Sequence, residues 1–140
     1  MSDPLLVSTD KACKLTGASY WQLDYWVRTG LFGEALKGHG SGSHRRWDEP
    51  AVITARVIVE YTNLGTSNFR CFKALEATIR AAWEHAPTLA GAWLVITHDA
   101  AIVTTDLKRP RDLAVLIRLE QCAAYVRAAW EAEEVASSHS

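Results

Sequence analysis

The stretch that most constrains this chain is Gly17-Ala-Ser-Tyr-Trp-Gln-Leu-Asp-Tyr-Trp-Val-Arg-Thr-Gly30, followed at once by Leu31. Glycine closes a helix because it takes the left-handed backbone without strain, and Ser19 is a good N-cap for whatever follows. The pattern predicts a short first helix, a turn at Thr16-Gly17-Ala18-Ser19, and a second helix from Tyr20 to Thr29 that Gly30 ends. Within it Leu23, Trp26 and Val27 make an i, i+3, i+4 stripe suited to a core. Tyr20, Trp21, Gln22, Asp24, Tyr25 and Arg28 are left facing outward. A core helix would pair its apolar stripe with a charged face. A short helix whose outer face is aromatic and rich in hydrogen-bonding groups suits a DNA groove better.

The flanking segments extend the pattern. Thr9 is placed to cap the first helix, expected over about Asp10 to Leu15, after a short apolar lead-in at Leu5-Leu-Val7. Residues 31–47 carry four glycines and two serines, three of the glycines and both serines falling between an apolar arm at 31–36 and Arg45-Arg46-Trp47. That composition reads as a hairpin with a flexible tip, a wing. Asp48 caps a third helix with Pro50 in its first turn, where the missing N–H is harmless. This helix is expected to run to about Asn63, and its density of Val, Ile and Tyr makes it the central core helix; Gly65 terminates it.

Ser67 is read as the cap of a fourth helix reaching His85, stopped by Pro87. The β-branched runs at 92–97 and 101–105, split by His98-Asp99-Ala100, predict a hairpin. Pro110 opens a last helix from about Arg111 to Val135. The expected architecture is therefore mainly α: a winged helix-turn-helix head over 1–65, then a helix, a small β-hairpin and a long C-terminal helix over 66–136, then a disordered tail at 137–140.

Composition narrows the function. The 140-residue chain carries a net charge of −1, and residues 1–50 balance six Lys/Arg against six Asp/Glu. What matters is distribution: His39, His44, Arg45 and Arg46 fall in one loop with Lys37 close by, and a local basic loop can grip phosphates at near-zero total charge. No apolar run approaches the roughly 18–20 residues of a membrane span. The N-terminus lacks the basic and apolar regions of a signal peptide, so a cytoplasmic protein without membrane contact is expected. Cys13, Cys71 and Cys122 lie far apart without a CxxC, which fits small buried hydrophobes. His39 and His44 have no third ligand nearby, so no metal site is expected. Nucleophile-elbow, Walker and HExxH signatures are absent; neither an enzyme nor a cofactor is expected.

Val7-Ser-Thr-Asp-Lys-Ala-Cys-Lys-Leu-Thr-Gly17, Ser19-Tyr-Trp-Gln-Leu-Asp-Tyr-Trp-Val-Arg-Thr-Gly-Leu31 and Gly40-Ser-Gly-Ser-His-Arg-Arg-Trp47 occur in that order. Together they resemble the first helix, second helix and wing of MerR-type winged-helix transcription regulators, closest to those of high-GC bacteria and their phages. The resemblance covers roughly residues 5–65. Asp24 departs from it, standing where many members have Arg, and the tail is short.

The resemblance implies that the second helix enters a major groove, with Ser19, Tyr20, Trp21, Gln22, Tyr25 and Arg28 near DNA. Gln22 and Arg28 have donors for base edges or phosphates, and the aromatic rings pack on sugars or thymine methyls. The wing would bring Lys37, Ser41, Ser43, His44, Arg45 and Arg46, with arginine favoured for its two-pronged grip on phosphate. In the last helix Leu116, Leu119, Ala123, Val126 and Trp130 are spaced 3, 4, 3, 4, a seam suited to pairing two subunits. The same stripe could instead pack on the hairpin of its own chain. Trp83, Trp93 and Trp130 read as core or interface before they read as a ligand pocket.

The expected function is sequence-specific binding of duplex DNA, as a homodimer on an inverted repeat, by a transcriptional regulator. An excisionase-like architectural factor for recombination is the alternative, since such proteins use a similar head. RNA polymerase is a third candidate partner, through the tail.

Overall fold

Local chemistry builds the first two helices where caps allow them. The computed structural model describes residues 4–33, 36, 45–65, 69, 72, 74–98, 100–108 and 113–138. Helix α1 spans Thr9–Thr16 and is capped by Ser8, whose Oγ accepts the Lys11 amide at 3.2 Å. Thr9, the expected cap, is inside the helix because its hydroxyl accepts the buried Trp47 indole N–H at 3.0 Å. Gly17 ends α1 with φ at 82°, and its N–H donates to the Cys13 carbonyl. The Arg56 guanidinium closes the same end, donating to the Thr16 carbonyl at 2.9 Å.

Helix α2 spans Tyr20–Arg28 after the three-residue turn Gly17-Ala18-Ser19. Ser19 and Gln22 form a reciprocal capping box: Ser19 Oγ accepts the Gln22 amide at 3.1 Å and Gln22 Oε1 accepts the Ser19 amide at 2.9 Å. Leu23, Trp26 and Val27 are buried, as the stripe predicts.

The wing's expected strands are arranged differently. Strand β2, Trp47–Asp48, pairs antiparallel with β1, Leu6–Val7, in the register Leu6↔Asp48 and Val7↔Trp47. Residues 31–33 turn directly out of α2 and form no strand. The alternation explains the choice of partner: Val7 and Trp47 point into the core together, where Trp47 meets Phe32 edge-on at 5.0 Å. The glycine-rich tip at 37–44 lies outside the described residues.

Helix α3 spans Glu49–Asn63, with Asp48 as its N-cap and Pro50 in its first turn. It is buried along most of its length, from Ala51 to Tyr61, and forms the centre of the core. Helix α4 spans Leu75–His85. It begins later than the sequence suggests; Phe72 ahead of it sits in a short turn closed on the Phe69 carbonyl. The Arg80 guanidinium returns to α3, donating to both Asp48 oxygens at 2.7 and 2.9 Å.

Strands β3 (Trp93–Ile96) and β4 (Ala101–Thr104) form the predicted hairpin. A third strand, β5 (Val115–Arg118), occupies the other edge of β3, giving the antiparallel order β4-β3-β5. The sequence pattern predicts helix here, and the open edge of β3 draws the segment into the sheet instead. Helix α5 therefore starts at Leu119 rather than near 111, and it continues to Ser138, past the expected end. Residues 137 and 138 thus belong to a helix and not to a disordered tail.

One hydrophobic cluster runs from Leu5 through α3 and the sheet to Val126. This decides how the seam of the last helix is used. Leu119, Ala123 and Val126 are buried inside their own chain, against a body that includes α1, α3 and β3. Leu116 is on β5 and points outward, and Trp130 is half-buried. Three of the five positions in the 3-4 spacing are thus filled within the chain, and Leu116 and Trp130 keep exposed surface. Polar contacts fasten α5 to the head: Lys11 with Glu133 at 2.9 Å, Glu49 with Arg127, and Arg56 over the Tyr125 ring at 3.7 Å.

Candidate nucleic-acid interface

Capping at one end and a buried stripe along one side leave α2 a single free face. Trp21 is 76% exposed and Tyr25 is 53% exposed. With Arg28 they follow i, i+4, i+7 spacing and so share one line along the helix. Tyr20 supports Trp21 from the side, ring centroids 6.1 Å apart and planes nearly perpendicular. Two large aromatics this exposed, in one line on a capped helix, form a contiguous patch on the surface.

The other predicted residues fall into three groups. Ser19 and Gln22 are exposed but work first on the helix itself: the Gln22 carbonyl oxygen is spent on the cap, leaving its NH2 group to face outward. Arg46 is exposed, and its guanidinium reaches the Arg45 carbonyl at 3.4 Å. Lys37, Ser41, Ser43 and His44 lie outside the described residues.

Arg45 departs from the expectation of a phosphate clamp. Only 3% of its side chain is exposed. Its Nη1 donates to Asp24 Oδ1 at 2.8 Å and its Nε to the Leu36 carbonyl at 3.3 Å. Arg28 Nε donates to the other Asp24 oxygen at 2.9 Å. The bond from Arg45 foremost, with Arg28 adding to it, holds the Asp24 carboxyl below the usual range against the opposing effect of burial. Sequence reasoning singled out Asp24 as a lost positive charge but missed its partner, because the two residues are 21 positions apart.

Other chemistry is sparse. Among the described residues no group of three or more His, Cys, Asp or Glu is placed to hold a metal ion. Burial pushes the Cys122 thiol up to about 12, so it stays protonated and unreactive. Burial also raises Cys13, while Cys71 lies outside the described residues. Trp93 lies under the Arg118 guanidinium at 4.8 Å, and Trp130 lines a separate groove of about 500 Å³ with Pro4 and Leu6. The two do not share a ligand pocket. No helix among the described residues is long and apolar enough to cross a membrane.

The geometry is that of a mainly α protein in which a three-residue turn joins α1 to α2, and the outer face of α2 is aromatic with Arg28 paired to Asp24. No family model matches the chain. Over 57 residues, 40% of its length, it is 33% identical to proteins described as uncharacterized HTH-type transcriptional regulators, one from Mycobacterium bovis and two from strains of Mycobacterium tuberculosis. The matched segment spans about a quarter (25%) of those relatives. Their description extends to the helix-turn-helix type and not to the narrower MerR type.

Proposed function

We propose that this chain is a transcriptional regulator that binds duplex DNA sequence-specifically through α2, in the manner of MerR-type winged-helix proteins. The observation that carries the reading is the exposed line Trp21–Tyr25–Arg28 on a helix whose start is locked by the Ser19–Gln22 box. The similarity to HTH-type transcriptional regulators supports the same class. Residues 1–65 hold the reading surface, and residues 66–136 brace it. Two copies act on an inverted repeat, as the MerR resemblance implies. With Leu119 and Val126 internal, self-association uses another surface of the tail, where Leu116 and Tyr125 are exposed along one groove. The reading invokes no catalysis.

Selection of bound sequences from a random duplex pool tests this. An enriched inverted repeat supports a dimer reading an operator. Tandem direct repeats replace it with the excisionase-like reading. No enrichment at low salt removes α2 as an autonomous DNA reader and brings a protein partner to the front.

Arg46 supplies a separate check. Arg46→Ala is expected to weaken binding to all duplexes alike, several-fold, and to make the slope of log affinity against log salt shallower by about 0.9, one phosphate contact. Titration at several salt concentrations measures both. An unchanged slope takes Arg46 out of the interface.

A further inference from the structure

A carboxylate on a helix that approaches DNA opposes binding, because every phosphate it nears carries the same sign. Helix α2 has one, Asp24, one turn before Arg28 on the helix that bears Trp21 and Tyr25. Two arginines share it, and they differ in what holds them. Arg45 is 3% exposed and has a second bond to the Leu36 carbonyl, so it cannot leave without stranding a buried charge. Arg28 is 61% exposed on the aromatic face and meets Asp24 through Nε. One pairing is built into the fold; the other is at the surface, where ion pairs exchange readily.

We infer that Asp24 is the positioning residue of the α2 face: Arg45 neutralises it permanently, while Arg28 rests on it in the free protein and passes to a phosphate when α2 enters the groove. This rests on the reading of α2 as the DNA-contacting helix and goes further, giving Arg45 an inward duty and Arg28 an exchange of partners. When Arg28 leaves, Asp24 keeps one full cation, so no bare negative charge faces the duplex. The same bond fixes the chain entering β2 against α2, since Arg45 lies two residues before Trp47. The wing root and the helix face thereby hold one relative position.

The test is a set of variants titrated against random-sequence duplex at low salt, with circular dichroism confirming that each is folded. Asp24→Asn keeps the shape and an acceptor for Arg45 but releases Arg28, so affinity is expected to rise several-fold. Loss of a negative charge near phosphates raises affinity by itself, so the share that depends on Arg28 is read from the next variant. Adding Arg28→Ala to Asp24→Asn should erase that gain. Arg45→Met leaves Asp24 with Arg28 alone, which then cannot pass to a phosphate without baring the carboxylate to the duplex, and affinity should fall by about tenfold or more. Asp24→Asn in the Arg45→Met background should recover most of it. Asp24→Asn binding more weakly than wild type, or a double variant that recovers nothing, overturns the inference while wild-type binding keeps the DNA reading intact. A wild-type protein that binds no duplex overturns both.

Discussion

Alanine at both Trp21 and Tyr25 is expected to cut affinity for duplex DNA by between about a hundredfold and a thousandfold, while the thermal midpoint stays within a degree or two of wild type. The two effects separate because the rings are mostly in solvent, at 76% and 53% exposure. Their removal takes little from the core, which Leu23, Trp26 and Val27 on the opposite side of α2 supply. The edge contact between Tyr20 and Trp21 is lost, worth at most about 1 kcal/mol, and the higher helix propensity of alanine offsets part of that. In an interface the same rings become anchors, each worth about 2 kcal/mol when truncated. Fluorescence anisotropy with a labelled duplex, beside a circular-dichroism melt, reads both quantities. A folded double variant that binds as tightly as wild type would show that α2 is not the reading helix.

The parts of this fold that follow from neighbouring residues were open to inspection in the sequence. Ser19, Gly17, Asp48 with Pro50, Gly65 and Pro87 set starts and stops through caps and backbone limits that act within a few residues, and α2 and α3 begin where those signals place them. The β-branched pair at 93–96 and 101–104 is equally local. What was misread depends on distant partners. Val115-Leu-Ile-Arg118 fits a helical stripe and an alternating strand about equally well, and the open edge of β3 decides for the strand. Ser8 and Thr9 are both good caps, and Trp47, far along the chain, claims Thr9. Arg45 looks like any basic loop residue until Asp24 is found beside it. The exposed face of α2 was legible because amphipathic spacing assigns inward and outward directly, whereas which outward groups already have partners is a tertiary fact.

The seam of the last helix shows the same limit and yields the other large effect. Val126→Asp is expected to leave most of the chain unfolded at room temperature. Val126 is 0% exposed on the inward side of α5, with Leu119, Cys122 and Ala123 on the same side and the body of the chain facing it. The change removes roughly 1.5–3 kcal/mol of apolar burial and strands a carboxylate at a further penalty of several kcal/mol. Together these rival the whole stability of a domain this size, about 5–15 kcal/mol. Lowering the pH toward about 5 should restore part of the structure, because the buried acid titrates upward and its neutral form is less costly to enclose. Had the stripe been a seam between subunits, the new carboxylate would be solvated in a dissociated monomer. The protein would then stay folded and only its sedimentation would change. Circular dichroism with sedimentation velocity separates the two, and Val135→Asp, at a 58% exposed position on the same helix, gives the control that should melt like wild type. A folded Val126→Asp monomer would return the stripe to the dimer interface, and α5 would then need another way to close the core over α1 and α3.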